Sequence, residues 1–550
     1  MRYKRLSILI VVLMVVSFVL VGCPAEDVDP DPDPDPDPVD PDPDPDPEEV
    51  TRVTVAQGDT QISWDPPQDW TSVGEWTIQN AYDYLFMRSA DAAEWVPQLA
   101  YDWEVIDELT FRFYLEEGVT FHDGTELTAE DVKYHYRRVI DGPRELYIVT
   151  GQYDWIDEME VIDEYTLDIR SHEPDSRFLW QLAQTNNGAG IVSKAYVEEV
   201  GPEGVHSEPM GSGPYELKDW SRDEYVLFEA YDDYWQGEPE IEELEFRIIP
   251  EASTRVAELL TGGVDVAFDM MYEDKDRIEA EEGITTEEVP SAQGWMLFPR
   301  IGVHPEFEGD PELDREFTTA DPRIRKAIEL AIDKYALREI DGGIGEAFRA
   351  RLFEPLPEAN PELFGPEANL YDPERAQELI EEAGYEPGEA YLHFDAMEDP
   401  PAGDLARVID SMLTDVGFDV DLNVMDESTF RSEVYHPRRT QELMLHDLGG
   451  QMNPFFGTNI FHSDRLETTD YGGIGSSPEG LDELLETAWT EVEDEEKRIE
   501  AYHEAGMMIA EERLNIGLFQ RTALWGLNER IDWTPRYDND IYGWDMAPAE

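Results

Sequence analysis

Apolar and polar positions divide the chain into three stretches. Residues 8–21 are apolar except for Ser17, and they follow Arg2, Lys4 and Arg5. Positive charge ahead of a short apolar run is the order of a secretory signal, so residues 1–22 are expected to direct export. The run is shorter than the roughly 20 residues that span a bilayer, and an uncleaved anchor is the second reading. Residues 24–49 are dominated by Asp-Pro dipeptides and contain no basic residue. Proline fixes its own φ and extends the residue before it, while the carboxylates repel one another. A stiff spacer without a core is predicted.

From residue 51 the pattern becomes that of a folded α/β chain. Residues 104–121 place Phe111, Phe113 and Leu115 on one face, which predicts a hairpin strand. Thr128 and Asp131 form an N-cap signature, and Val132, Tyr136 and Val139 give the following helix its apolar side. Strands are predicted at 166–170, 225–231, 244–249, 264–268 and 419–424. Helices are predicted at 253–260, where Gly262 and Gly263 stop the run, at 405–416 and between 481 and 512. Asp321-Pro322 and Asp372-Pro373 each place an N-cap before a proline at the first helical position. The first opens a helical spacing through Ile324, Ala327, Ile328, Ala331 and Tyr335. The second opens one through Ala376, Leu379, Ile380 and Ala383 that ends at Gly384. No internal repeat of 20 to 50 residues is present, which argues against solenoids and propellers.

Composition narrows the function. With 550 residues and 41% hydrophobic content the chain is long enough for two or three packed lobes. Its 127 acidic and 40 basic residues give a net charge of -87, which repels nucleic acid and anionic lipid head groups. The acidity persists beyond the spacer, where residues 51–550 carry a net charge of -77. Such self-repulsion is tolerable where salt screens it, so a halophilic or halotolerant source is expected. It also means that neighbouring carboxylates arise by chance, usually as solvated surface. Cys23 is the only cysteine, which excludes an intramolecular disulfide framework, a cysteine zinc site and an iron–sulfur cluster. The ten histidines are scattered without metal-ligand spacing on one helix. No His-Glu-x-x-His, phosphate-binding loop or Gly-x-Ser-x-Gly elbow is present. No cofactor, metal or catalytic residue is expected.

Several motifs carry a resemblance. Leu20-Val21-Gly22-Cys23 resembles the bacterial lipobox, which implies cleavage before Cys23 and lipidation of its thiol. Pro97-Gln98-Leu99-Ala100, residues 110–115, and Gly118 to Val132 with Phe121-His122-Asp123-Gly124-Thr125 are followed by Gly211-Ser212-Gly213-Pro214-Tyr215. Then come Tyr234-Trp235-Gln236-Gly237-Glu238-Pro239, Gly263-Val264-Asp265, Asp321 to Ala327, Ala331-Ile332-Asp333-Lys334 and Tyr371-Asp372-Pro373-Glu374. In this order they resemble the peptide/nickel class of solute-binding proteins of ABC importers, the family 5 oligopeptide- and dipeptide-binding proteins. The motifs themselves have the chemistry of scaffold: tight turns at Gly211, Gly213 and Pro214, and aromatic packing at Tyr234 and Trp235.

The resemblance implies a bilobed, class II, periplasmic-binding-protein-like clamshell with an inserted subdomain. By analogy, lobe I comprises 51–88, 205–300 and 516–550, with 89–204 inserted, and lobe II comprises 301–515. Residues 23–50 become a lipidated cysteine and tether. Implied partners are a peptide, an oligosaccharide or another small solute, an ABC permease with its ATPase subunits, and the membrane through the lipid. A monomer on the extracytoplasmic face, periplasmic in a two-membrane cell, is expected. The alternative is a secreted carbohydrate-binding or carbohydrate-hydrolysing surface protein.

For the ligand site, the family's aromatic walls point to Trp295, Phe455, Phe456 and Trp525, each of which also suits a core. Peptide-binding members pair the ligand amine with an Asp four residues before a proline. In the segment from His446 to Pro454, which includes Asn453, that position is Gly450, so peptide specificity is in question and Asp447 is the available substitute. Arg300, set among apolar residues, suits a ligand carboxylate or an internal ion pair. Gln184 to Gly188 offers amides, or a plain polar loop.

Overall fold

The computed structural model describes residues 50–549 except 62, 70–75, 145, 148–150, 185–187, 303–316, 350, 434–440, 449–452 and 466–476. The signal segment, Cys23 and nearly all of the Asp-Pro spacer lie outside the described residues, as do Gly450 and residues 185–187. Among the described residues no helix is long and apolar enough to cross a membrane.

The chain opens with β1 (Arg52–Gln57) and then builds a separate layer. That layer contains the hairpin β2 (Phe86–Arg88) and β3 (Trp95–Pro97) and a four-stranded sheet of β4 (Ala100–Asp107), β5 (Thr110–Leu115), β6 (Ile156–Asp163) and β7 (Thr166–Ser171). Alternation decides its faces: Phe111, Phe113, Leu115, Leu167 and Ile169 are buried against α1 (Ala129–Ile140), whose Val132, Tyr136 and Val139 face them. Thr128 and Asp131 form the expected capping box at the start of α1. The chain then returns through β8 (Tyr215–Ser221), β9 (Tyr225–Ala230), β10 (Glu243–Ile248), α2 (Ala252–Leu260), β11 (Val266–Ala267) and the long β12 (Ile284–Pro299).

The remaining elements are α3 (Pro322–Ala331), α4 (Lys334–Arg338), β13 (Glu346–Ala347), α5 (Pro373–Ala383), β14 (Ala390–Met397), α6 (Ala402–Asp415), β15 (Phe418–Met425) and β16 (Leu443–Leu448). They are followed by α7 (Pro454–Thr458), α8 (Leu481–Thr490), α9 (Glu495–Glu512) and β17 (Ile516–Asn528).

One eleven-stranded sheet unites both halves, in the order β15-β14-β16-β12-β17-β11-β1-β10-β9-β8 with β13 on β17. Its joint is the antiparallel ribbon of β12 and β17, paired from Ile284 with Asn528 to Leu297 with Ile516. β11 joins only the Gly526–Leu527 end of β17, while β16 joins only Gly294 to Pro299 of β12. The two half-sheets therefore share two strands and no others. The ladder loses register between Pro290 and Gly294, midway between them. Proline has no N–H to donate there, so the hydrogen-bonding that would stiffen the ribbon is interrupted where the halves meet.

Two departures from the sequence pattern have local causes. The spacing from Ile324 to Tyr335 is not one helix: Ile332 is extended, and Asp333 restarts the chain by accepting hydrogen bonds from the Tyr335 and Ala336 amides. A side-chain cap is worth about 1 kcal/mol, and the Leu330 carbonyl is taken by the Asp372 amide at 2.8 Å instead of continuing the helix. The Nζ of Lys334 is thereby buried and donates to the Phe348 carbonyl at 2.8 Å. Burial drives its pKa down to about 8, against the pull of Glu329. The predicted strand at 264–268 shortens to Val266–Ala267, because Phe268 and Asp269 turn away into the space between the halves, Asp269 at a φ of 53°.

Candidate functional site

Within the first half-sheet β1 is parallel to β10 and β11, and within the second β14 is parallel to β15 and β16. Ligand crevices in such sheets lie beyond the carboxyl ends of parallel strands. A cavity of about 300 Å³ occupies that position at the joint. Its walls are Gly58 and Asp59 after β1, Pro250 after β10, Phe268 and Asp269 after β11, Ser291 and Gln293 in the interrupted part of β12, and Arg521 to Ala523 in β17, with Trp76, Arg255 and Asn539. Arg255 fixes the loops: Nε donates to the Phe268 carbonyl at 2.9 Å, and Nη1 donates to the Ile249 and Pro250 carbonyls, each at 2.9 Å.

Arg521 is the charged centre. Its Nε lies 3.0 Å from Asp341 Oδ2, its Nη1 3.7 Å from Asp447 Oδ2, and Nη1 also donates to Gln293 Oε1 at 3.3 Å. Burial works against its charge, but Asp341 and Asp447 outweigh burial and hold the guanidinium protonated. Burial pushes Asp447 up to about 6, with Arg521 opposing and Asp341 adding to the rise. Burial also raises Asp341, opposed by Arg521 and by the Trp295 indole N–H, which donates to Oδ2 at 2.9 Å. Two carboxyls thus share one guanidinium, while on the adjoining wall Asp59 stands exposed and Asp269 lies 3.9 Å from the Arg255 guanidinium. Around Arg521 such a site has room for one more positive charge and disfavours a further negative one.

The sequence-selected residues are placed as follows. Asp447 lies opposite Trp295 across the β12–β16 pair and meets Arg521. Trp295 stands behind Asp341, and Trp525, fully buried, stands behind Phe268 with ring centroids 4.5 Å apart. Trp525 thus supports a wall residue, and Trp295 supports the acid that pairs with Arg521. Arg300 is buried at the end of β12, where Nε donates to the Gly302 carbonyl and the guanidinium covers Phe317 at 4.5 Å. Asn453 caps α7 by accepting from the Phe455 amide at 3.0 Å. Phe455 packs on Trp489 and Phe456 on Phe455, beside a different cavity. Sequence reasoning missed Asp341 and Arg521. Arg521 carried a signal, as the lone charge in the thirteen residues of β17.

The motif residues assemble elsewhere. Asp83, fully buried, accepts from Tyr234 Oη at 3.0 Å, Trp235 Nε1 at 3.0 Å and Gln98 Nε2 at 3.1 Å. Burial raises its carboxyl to about 7 even against the hydrogen bonds from Trp235 and Tyr234. Gly213 is required by close approach, since a Cβ there would lie 2.5 Å from the Tyr82 nitrogen. Its carbonyl meets His122 Nε2 at 3.0 Å. Four separated motifs therefore brace the first half, two meeting at Asp83 and two at the Gly213 carbonyl. Among the described residues no group of three or more His, Cys, Asp and Glu side chains is placed to hold a metal.

Residues 94–489 match the family described as bacterial extracellular solute-binding proteins, family 5 Middle. The chain is 29% identical to the glutathione-binding protein GsiB of Escherichia coli O1:K1 / APEC over 385 residues, 70% of this chain and 71% of that protein. It is 25% identical to the dipeptide-binding protein of Escherichia coli (strain K12) over 456 residues, 78% of this chain and 81% of that protein. The periplasmic binding protein DppA from Helicobacter pylori, solved in complex with the peptide STSA, superposes with a TM-score of 0.71 at 20% identity, covering 91% of this chain and 98% of that one. These relatives are binding proteins rather than enzymes, and their fold is bilobed α/β.

Proposed function

The chain belongs to the bacterial extracellular solute-binding proteins of family 5, and from that premise we propose that it captures a peptide-type solute between its lobes by the solute's ammonium group. The observation that supports this reading is the pairing of Asp341 and Asp447 around the single guanidinium of Arg521 at the joint. An ammonium inserted there would meet two largely buried carboxylates already oriented by Arg521 and Trp295. Because Asp447 follows the joint so closely, it takes the role for which the expected position holds Gly450. The names of the glutathione- and dipeptide-binding relatives favour a peptide over the carbohydrate alternative.

Lobe closure follows from differential contact. The solute touches both halves only when they approach, so binding shifts the population toward the closed form. The ligand leaves unaltered, handed to an ABC permease while ATP is consumed on other subunits. The protein acts as a monomer held to the extracytoplasmic membrane face by lipid on Cys23, at the end of the Asp-Pro tether. Calorimetric titration with free and N-acetylated forms of the same dipeptides tests the site. Binding of the free forms alone supports the proposal, and equal binding of both refutes it. Loss of lipid mass from a Cys23→Ala variant tests the anchor, and light scattering tests the monomer. A thermal midpoint that rises into molar salt supports the halophilic reading, and one that falls rejects it.

A further inference from the structure

A second cavity, of about 390 Å³, lies between the inserted layer and the second half. The segment from Glu173 to Arg177 forms one wall, and Phe455, His462, Asp464, Glu486, Trp489 and Thr490 form the other. The walls are joined through Ser176, whose amide donates to the Trp489 carbonyl at 2.7 Å and whose hydroxyl donates to the Ala488 carbonyl at 2.8 Å. These carbonyls sit at the end of α8, where the helix leaves acceptors unsatisfied.

Among the described residues the wall carries two buried donors without a hydrogen-bond acceptor. His462 is 6% exposed and its Nδ1 accepts from the Asp464 amide at 3.2 Å, so the ring proton is on Nε2. That Nε2 has no hydrogen-bond partner among the described residues, with Glu486 the near carboxylate at 3.6 Å. The Trp489 indole N–H is buried and likewise without a partner. The two rings lie 5.1 Å apart. A buried donor left unmade costs about 1–3 kcal/mol, so two on one wall call for an acceptor.

The surroundings define that acceptor. A protonated Nε2 cannot ligate a metal, and a bare cation brings no lone pair for the two inward donors. Glu173, Asp464 and Glu486 on the rim repel an anion. Arg177 does not offset them, since it is held by Asp175, with Nε to Oδ1 at 2.7 Å, and lies over Phe455 at 4.2 Å. We propose that this cavity is a second binding site, for a neutral amide whose carbonyl accepts from His462 and Trp489. Its occupant touches both walls and so holds the inserted layer against the second half.

The test uses N-acetyl-diglycine amide, which has no ammonium and therefore does not depend on the Asp447 site. Protein carrying ¹⁵N-labelled tryptophan is titrated with it, the Trp489 indole resonance being assigned by its absence in Trp489→Phe. The expected result is a saturable shift of that resonance in the wild type and in Asp447→Asn. Affinity should fall about five- to tenfold in His462→Phe. An unmoved Trp489 resonance up to the solubility limit overturns the proposal. So does a non-saturating drift shared by other tryptophans, or loss of the shift in Asp447→Asn. The wild-type titration decides the matter even where a variant fails to fold.

Discussion

Asp83 and Asp447 are both carboxyls raised by burial, yet they sit in opposite situations. Asp83 in the first half is fully buried and accepts from three donors, those of Gln98, Tyr234 and Trp235. Asp447, beside the joint, shares one guanidinium at 3.7 Å with a second acid and keeps a quarter of its side chain exposed. A buried acid whose partners are all internal is a brace. One whose partner is divided is available to a ligand. The comparison teaches that a shifted pKa locates a site only where the hydrogen-bond count is incomplete.

The sharpest way to break this comparison is Asp83→Ala. It leaves three donors without an acceptor and is expected to lower stability by about 3–5 kcal/mol in urea unfolding. Solute affinity in the remaining folded protein should be unchanged. If instead affinity collapses while stability holds, Asp83 is not a brace. Asp447→Asn should do the reverse, weakening ammonium-bearing solutes about 10- to 100-fold with little loss of stability.

The pH dependence separates the two acids further. An acid raised above its unfolded value stabilises the fold most below that value, and the contribution is lost as pH rises through the folded one. Asp83 should therefore cost stability as pH rises from about 4 to about 7, and Asp447 from about 4 to about 6. Unfolding of the wild type minus each Asn variant, across pH 4 to 8, reads these windows. Solute affinity runs the other way for Asp447, because an ammonium needs the ionised form. It should fall in the wild type as pH drops through about 6 and stay flat in Asp447→Asn. The smallest expected effect is that of Trp295→Phe, which removes one donor from Asp341. A two- to fivefold loss of affinity by calorimetry is predicted.

Legibility in the sequence followed the same division. The capping box at Thr128, the alternation of β5 and the motif glycines are local patterns, and their physical causes are local contacts. Trp295 and Asp447 were also visible as residues, though not their pairing across two strands. The joint was not visible at all. β12 is almost continuously buried from Ser291 onward and interrupted by Pro290 and Gly294, so it lacks strand alternation. Asp341, Asp447 and Arg521 come from three separate elements, and no spacing rule links them. Trp525 illustrates the limit from the other side: aromatic chemistry suggested a wall, and only the packing shows it supporting Phe268 instead.

An intact solute held by its ammonium at the joint is tested most directly by a crystal structure of the protein grown with a free dipeptide. The predicted result is an uncleaved dipeptide whose amine lies within hydrogen-bond distance of Asp341 and Asp447. A dipeptide bound with its amine in solvent, or density for hydrolysed fragments, would contradict it.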